Sequence, residues 1–384
     1  MSTLCNIISK HGGLIQTGPF GSQLHEYEYV DVGVPVVMPK DIVGGKINYG
    51  TIARVSEEKA SQLHRHKLQA GDIVFPRRGD IGKCAFVSKN DAGCLCGTGC
   101  LKITVPDAVL SPRFLFYFLG LPESVKWLEN NSTGSTMMNL NTDILGRIEI
   151  PDLPIEQQRR IADVLSAYDD LIENNRRRIA ILEETARLTY RKWFGGAEQG
   201  RAATLSKICR EVRRGVSPDA IAPDTPYIGL EHMPRRSISL CEWESAQKVT
   251  STKLAFEAGD ILFGKIRPYF HKVGITFVDG VASSDAIVIK PLRPELHAYV
   301  LMTVSSDAFV AAASQGMKEG SKMPRADWKQ LLRYCVAFPD AETLSAFNKV
   351  LNPILAQLKT LCFSNRKLAA SRDMLLLRLM KFEF

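Results

Sequence analysis

Residues 154–194 read PIEQQRRIADVLSAYDDLIENNRRRIAILEETARLTYRKWF, with no Gly or Pro after the first residue. Ile161, Leu165, Tyr168, Ile172, Asn175, Ile179, Leu182, Ala186, Thr189 and Trp193 alternate steps of four and three. That spacing puts them on one stripe of an α-helix and predicts a coiled-coil seam of about five heptads. Forty helical residues reach roughly 60 Å. Pro151 and Pro154 mark the start and Gly195-Gly196 the end. So long an apolar stripe exceeds what one small domain covers, so the seam needs a partner. The alternative is two amphipathic helices, each packed on its own domain.

The partner lies in the same chain. About 190 residues later come Leu351, Leu355, Leu358, Cys362, Asn365, Ala369, Arg372, Leu376 and Leu379. This copy is imperfect: Arg372 is a poor seam residue, and Pro353 is expected to kink or restart the helix. Asn falls on the seam in both copies, at Asn175 and Asn365, where a buried Asn fixes register at some cost in stability. Other patches recur at an offset of about 186 to 190 residues. Gly71-Asp72-Ile73-Val74-Phe75 returns as Gly259-Asp260-Ile261-Leu262-Phe263, and Lys83 as Lys272. Gly134-Ser135-Thr136-Met137 returns as Gly320-Ser321-Lys322-Met323, and Asn175-Arg176-Arg177 as Asn365-Arg366-Lys367. Order and offset hold throughout, which marks an internal repeat.

Around the helices the chain is rich in Gly, Pro and short β-branched runs such as Val34 to Met38, which read as short strands and turns. Buried helices are expected from Ser111-Pro112 onward and over 294–313. The predicted class is α+β: two similar mixed α/β domains separated by two long helices that form an antiparallel coiled coil. The boundaries fall at 1–150, 151–196, 197–339 and 340–384. Only about ten residues (195–204) join the first helix to the second domain, too few to travel back along the helix. Antiparallel helices follow, with a domain at each end of a rod and a pseudo-two-fold relation within one chain.

At 384 residues, with 45% hydrophobic and 23% charged side chains, wholesale disorder is excluded. The formal charge is +8 and the pI about 9.0, compatible with a polyanionic partner. No apolar run is long enough to span a membrane and no secretory signal is read, so a cytoplasmic protein is expected. The nine scattered cysteines are expected to be reduced thiols. Cys94, Cys96 and Cys100 read as buried small hydrophobes, with a zinc site as the alternative. No phosphate-binding Gly-Lys-Ser/Thr loop, dinucleotide loop, methyltransferase tetrapeptide or nuclease centre is found, so no catalytic residue, metal site or cofactor is assigned to this chain.

The charges are local. Residues 195–339, for example, hold 19 basic and 15 acidic side chains. The DNA-binding candidates are Arg77, Arg78 and Lys83 in one loop, and Lys265, Arg267, Tyr269 and Lys272 in its repeat. Arg can pair bidentately with guanine, while Lys serves phosphate; solvated turn charges are the alternative. Ser135 and Thr136, with Ser321 and Lys322, offer a phosphate grip. Ser22, Lys40, Arg213 and Arg214 complete the set. Leu165, Tyr168, Ile172, Asn175, Ile179, Leu182, Trp193, Leu355, Leu358, Asn365, Leu376 and Leu379 are the seam and partner candidates.

Several of these stretches resemble a known family. Gly18-Pro19-Phe20-Gly21-Ser22, the 71–79 stretch, and Gly134 to Asn141 followed by Ile148-Glu149-Ile150-Pro151 look like a target-recognition domain. That domain belongs to the specificity subunit of type I restriction-modification enzymes. Pro154-Ile155-Glu156-Gln157-Gln158-Arg159 and Arg191-Lys192-Trp193-Phe194 resemble its helical spacer. The second half departs: Met138-Asn139-Leu140-Asn141 becomes Pro324-Arg325-Ala326-Asp327. The resemblance implies a non-catalytic subunit whose two domains each read half of a bipartite DNA site. It implies helices that set the spacing and dock two methyltransferase subunits, which use S-adenosylmethionine. It further implies restriction and translocase subunits that use ATP and Mg. A coiled-coil scaffold with protein-binding end domains, and an undetected enzyme, are the rival readings. Only DNA binding predicts an affinity that falls steeply with salt.

Overall fold

The computed structural model describes residues 2–133, 138–195, 201–315 and 324–380. Two helices of 40 residues dominate it, Ile155–Phe194 and Ala341–Met380. The second runs through Pro353 without a break, so the expected restart is corrected. Proline there removes only the hydrogen bond to the carbonyl of Lys349, an exposed residue whose carbonyl water can serve. Buried Leu351, Ile354, Leu355 and Leu358 hold the helix on both sides of it.

The chain forms two compact units, Met1–Asp169 with Ala370–Phe384, and Asp170–Ala369. Each takes part of both long helices. In the first unit, antiparallel strands run in the order Leu14–Thr17, Cys100–Thr104, Ile73–Pro76, Ala85–Phe86. In the second, Cys209–Val212, Ala286–Pro291, Ile261–Gly264 and Val273–Thr276 repeat that order, with Ser239–Leu240 added at the edge. The repeat is therefore structural in the central sheets. A second mixed sheet has four strands in the first unit and five in the second.

The repeated Gly-Asp pair has a mechanical role. Gly71 and Gly259 adopt φ of 94° and 98°, where a β-carbon is unfavourable. The following Asp closes the turn: Asp72 accepts from Gln69 N at 2.9 Å, and Asp260 from Glu257 N at 2.9 Å. The strands that follow are fully buried. In the first unit Phe75, Leu101, Phe114 and Leu115 share a core with Ile161, Leu165, Leu376 and Leu379 from the long helices. Ser111 caps the Pro112–Leu119 helix that contributes Phe114.

The seam reading holds for both helices. Within the second unit, Asn175 Nδ2 donates to Asn365 Oδ1 at 3.0 Å, and Trp193 packs on Phe347 with ring centroids 6.0 Å apart. A later residue on one helix thus meets an earlier one on the other, which is antiparallel packing. Arg372, read as a poor seam residue, is corrected: its Nη1 lies 2.6 Å from Asp169 Oδ1, and Asp169 also accepts from Tyr117 Oη at 2.6 Å. An arginine fits a seam that supplies a carboxylate. Replacing Asn175 alone with Leu is expected to cost about 1–2 kcal/mol, because the amide of Asn365 loses its buried partner. Replacing both should recover most of that loss, and a double-mutant cycle in urea measures the coupling.

Cys241 and Cys362, 121 residues apart, are joined as a disulfide with a Cα–Cα distance of 5.1 Å. The expectation of wholly reduced thiols is corrected at this pair, which only the tertiary fold brings together. Cys94, Cys96 and Cys100 lie in an apolar cluster with Val37, Ile42 and Val74. Burial pushes the Cys96 thiol up to about 12 and the Cys100 thiol well above its ordinary range. These are neutral, packed side chains. Among the described residues no single helix is long and apolar enough to cross a membrane.

Candidate nucleic-acid interface

Beyond the buried strand of each central sheet the chain makes the same weave twice. In the first unit Arg77 N donates to Gly99 O at 2.6 Å, Leu140 N to Arg77 O at 2.8 Å, and Gly79 N to Met138 O at 3.3 Å. In the second, Lys265 N donates to Asp285 O at 2.9 Å, Ala326 N to Lys265 O at 2.8 Å, and Arg267 N to Pro324 O at 2.8 Å. Isolated bridges join Arg78 to Asn139 and Ile266 to Arg325. The two basic loops are thus structural equivalents, each crossed by the segment after the repeated Gly-Ser patch. Asn141 and Asp327, at matching positions, each cap the short helix that follows. The patches themselves, with Ser135, Thr136, Ser321 and Lys322, lie outside the described residues.

The first weave carries unpaired polar atoms. Among the described residues, Arg77 Nε, Asn139 Oδ1 and Thr98 Oγ1 are buried without a hydrogen-bond partner, and all three belong to this junction. Leaving such an atom buried and unpaired costs about 1–3 kcal/mol. Arg78 is exposed beside them. Gly18 opens the neighbouring turn, where its backbone approaches so closely that a β-carbon would lie 2.0 Å from Gly97 O. Phe20 and Ser22 are exposed on that turn.

Other candidates are committed elsewhere. Lys83 pairs with Asp80 at 2.6 Å, Arg213 with Glu211 at 2.8 Å and Arg214 with Glu257 at 2.8 Å. Lys40 Nζ reaches Thr51 O at 3.3 Å. Lys265 Nζ and Lys272 Nζ donate to the carbonyls of Ser284 and Leu230, and burial lowers the pKa of Lys272. The exposed ion pairs of Lys83, Arg213 and Arg214 contribute little to stability. Tyr269 stays 52% exposed, 4.9 Å from Phe270. Sequence reading missed Arg325, Arg235 and the cluster of Glu231, His232 and Glu244. In that cluster one potential metal-ligand atom from each residue lies within 4.8 Å of the others.

Segments of both units are fixed to the long helices. Gln158, 3% exposed, accepts from Ser111 N at 2.9 Å and donates to Val109 O and Leu153 O, which explains the Gln at this point of the helix start. In the second unit Glu183 receives Ser237, Ile238 and Ser239, while Arg366 lies 3.7 Å over the Trp243 ring. Tyr168 and Trp193 are half-buried on the seam. The exposed apolar side chains of the first helix are instead Val164, Leu171, Ile181 and Leu188.

Residues 28–184 match the family model of the type I restriction modification DNA specificity domain. Among curated proteins it is similar to the type I restriction enzyme MjaIX specificity subunit of Methanocaldococcus jannaschii, 32% identical over 171 residues. That match covers 44% of this chain and 38% of the relative. The MjaVIII specificity subunit of the same organism is 30% identical over 172 residues, covering 44% of this chain and 39% of the relative. The matches thus span about two fifths of the curated relatives' length. The fold extends further. The type I restriction-modification S subunit from M. genitalium superposes with a TM-score of 0.61 at 15% identity, covering 98% of this chain and 94% of that one. The specificity-domain match ends at residue 184, inside the first long helix, so it includes the first basic weave.

Proposed function

We propose that the chain is the non-catalytic, sequence-specific DNA-binding specificity subunit of a type I restriction-modification complex. Each unit reads one half of a bipartite, asymmetric site in double-stranded DNA, and the paired helices set the half-site spacing. Two methyltransferase subunits dock on the helices, for which exposed Val164, Leu171, Ile181 and Leu188 offer apolar contact. S-adenosylmethionine belongs to those subunits, and ATP and Mg to the restriction subunits; this chain binds none of them. The observation that carries the reading is the duplicated weave, which presents a basic loop at the same place in two units whose loop sequences differ. Two unlike readers in one chain suit two unlike half-sites.

Arg77→Ala with Arg78→Ala is expected to relax recognition of one half-site, and Lys265→Ala with Arg267→Ala that of the other. Each arginine–base pairing removed should lower discrimination by about 1–3 kcal/mol. Competition binding by the assembled methyltransferase, with duplexes altered in one half at a time, checks this. Equal weakening against every sequence would make these residues phosphate contacts and leave the half-site assignment without support.

A further inference from the structure

In the second unit Arg235 is held by an aromatic stack rather than by an ion pair. Arg235 is exposed, and its guanidinium carbon lies 4.0 Å from the centroid of the Phe270 ring. Arg236, Arg293 and Arg325 of the same unit pair with Asp307, Glu295 and Asp285. Arg235 makes no hydrogen bond or ion pair among the described residues. A guanidinium held over a ring loses much of its rotational freedom while its N–H donors remain available to a ligand.

The backbone around this stack is strained and pinned. Arg236, Arg267 and His271, with φ of 57°, 48° and 53°, are the non-glycine residues at positive φ among the described residues. All three belong to this one assembly. Arg236 N donates to His271 O at 2.9 Å, His271 N to Pro268 O at 2.8 Å, and Phe270 N to Arg267 O at 2.8 Å. The buried His271 ring sits 2.8 Å from Ser305 O through Nε2, and Arg187 of the first long helix bonds the carbonyl of Arg236. Left-handed backbone at three side-chain-bearing residues is unfavourable, and it persists where the surroundings over-determine it. What it fixes here is the position of Phe270 beneath Arg235. The equivalent of Arg267 in the first weave is Gly79, which takes φ of 83° without that penalty.

We propose that Arg235 reads a guanine in the major groove, donating in-plane to its O6 and N7, with Phe270 as the platform that sets the fork. This rests on the DNA-recognition function proposed above and names one base contact within it. The test co-expresses the full chain with its methyltransferase subunits and maps methylated genomic positions for the wild type, Arg235→Ala, Arg235→Lys and Phe270→Leu. One G·C pair in one half of the motif is expected to become degenerate in Arg235→Ala. Methylation at sites carrying other bases there should rise about tenfold or more relative to the consensus. Arg235→Lys should not restore the preference, because an ammonium lacks the fork. Phe270→Leu, which keeps the arginine, should relax the same position partially. An unchanged motif in all three variants, or a decline that is uniform over all sequences, would overturn the assignment. A wild-type complex that methylates no two-part motif would remove the functional reading itself, and this assignment with it.

Discussion

Glu183→Ala is expected to destabilise the second unit by about 3–5 kcal/mol, the range for removing one partner from a buried charged network. Glu183 is 5% exposed on the first long helix. Its Oε1 accepts from Ser237 Oγ at 2.7 Å, Ile238 N at 3.1 Å, Ser239 N at 3.0 Å and Ser239 Oγ at 2.5 Å. Arg187, one turn further on, lies 3.7 Å from the other carboxylate oxygen. Alanine would strand two backbone N–H groups and two hydroxyls at once, next to the segment that carries Arg235. Glu183→Gln keeps a carbonyl acceptor and should lose roughly half as much. Urea unfolding followed by circular dichroism should show a lower midpoint with an unchanged slope. A loss under about 1 kcal/mol would mean that this carboxylate does not hold the edge strand Ser239–Leu240 to the helix.

Phe347→Ala is expected to cost about 3–5 kcal/mol as well, by cavity formation where the two helices meet. Phe347 is fully buried, with ring centroids 6.4 Å from Tyr190, 6.0 Å from Trp193 and 5.0 Å from Phe194. These aromatic contacts add to the burial term. Phe347→Leu keeps most of the volume and should cost under about 1.5 kcal/mol. Because Trp193 packs on the same ring, its fluorescence should shift to the red in the alanine variant before global unfolding. An emission maximum unmoved from that of the wild type would contradict the packing of Trp193 on Phe347.

The long helices were legible because a period of three and four persists over forty residues, and no loop can imitate that. The Asn pair was legible for the same reason: Asn175 and Asn365 occupy one seam register, and they meet. The Gly-Asp turns announced themselves by duplication. Arg372 misled because its partner, Asp169, is also held by Tyr117 from a helix 52 residues earlier, a three-way contact with no sequence period. The Cys241–Cys362 pair was hidden for a related reason, since 121 residues of chain separate its members. The basic loops of the candidate site are legible by composition and repetition. Arg235 was not, because it lies outside every repeated patch and its stacking ring, Phe270, comes from a separate segment of the chain. Lys83, Arg213 and Arg214 looked like free charges in the sequence and proved to be paired, because their acidic neighbours fold back on them.

Methylation mapping of genomic DNA from cells that co-express this chain with type I methyltransferase subunits tests most directly the proposal that one chain holds two readers of unlike half-sites. The expected result is a two-part asymmetric motif with a fixed gap, and two distinct half-sites that respond separately to changes in the 77–78 and 265–267 loops. Methylation at one short continuous motif, or none from a verified complex, would contradict it.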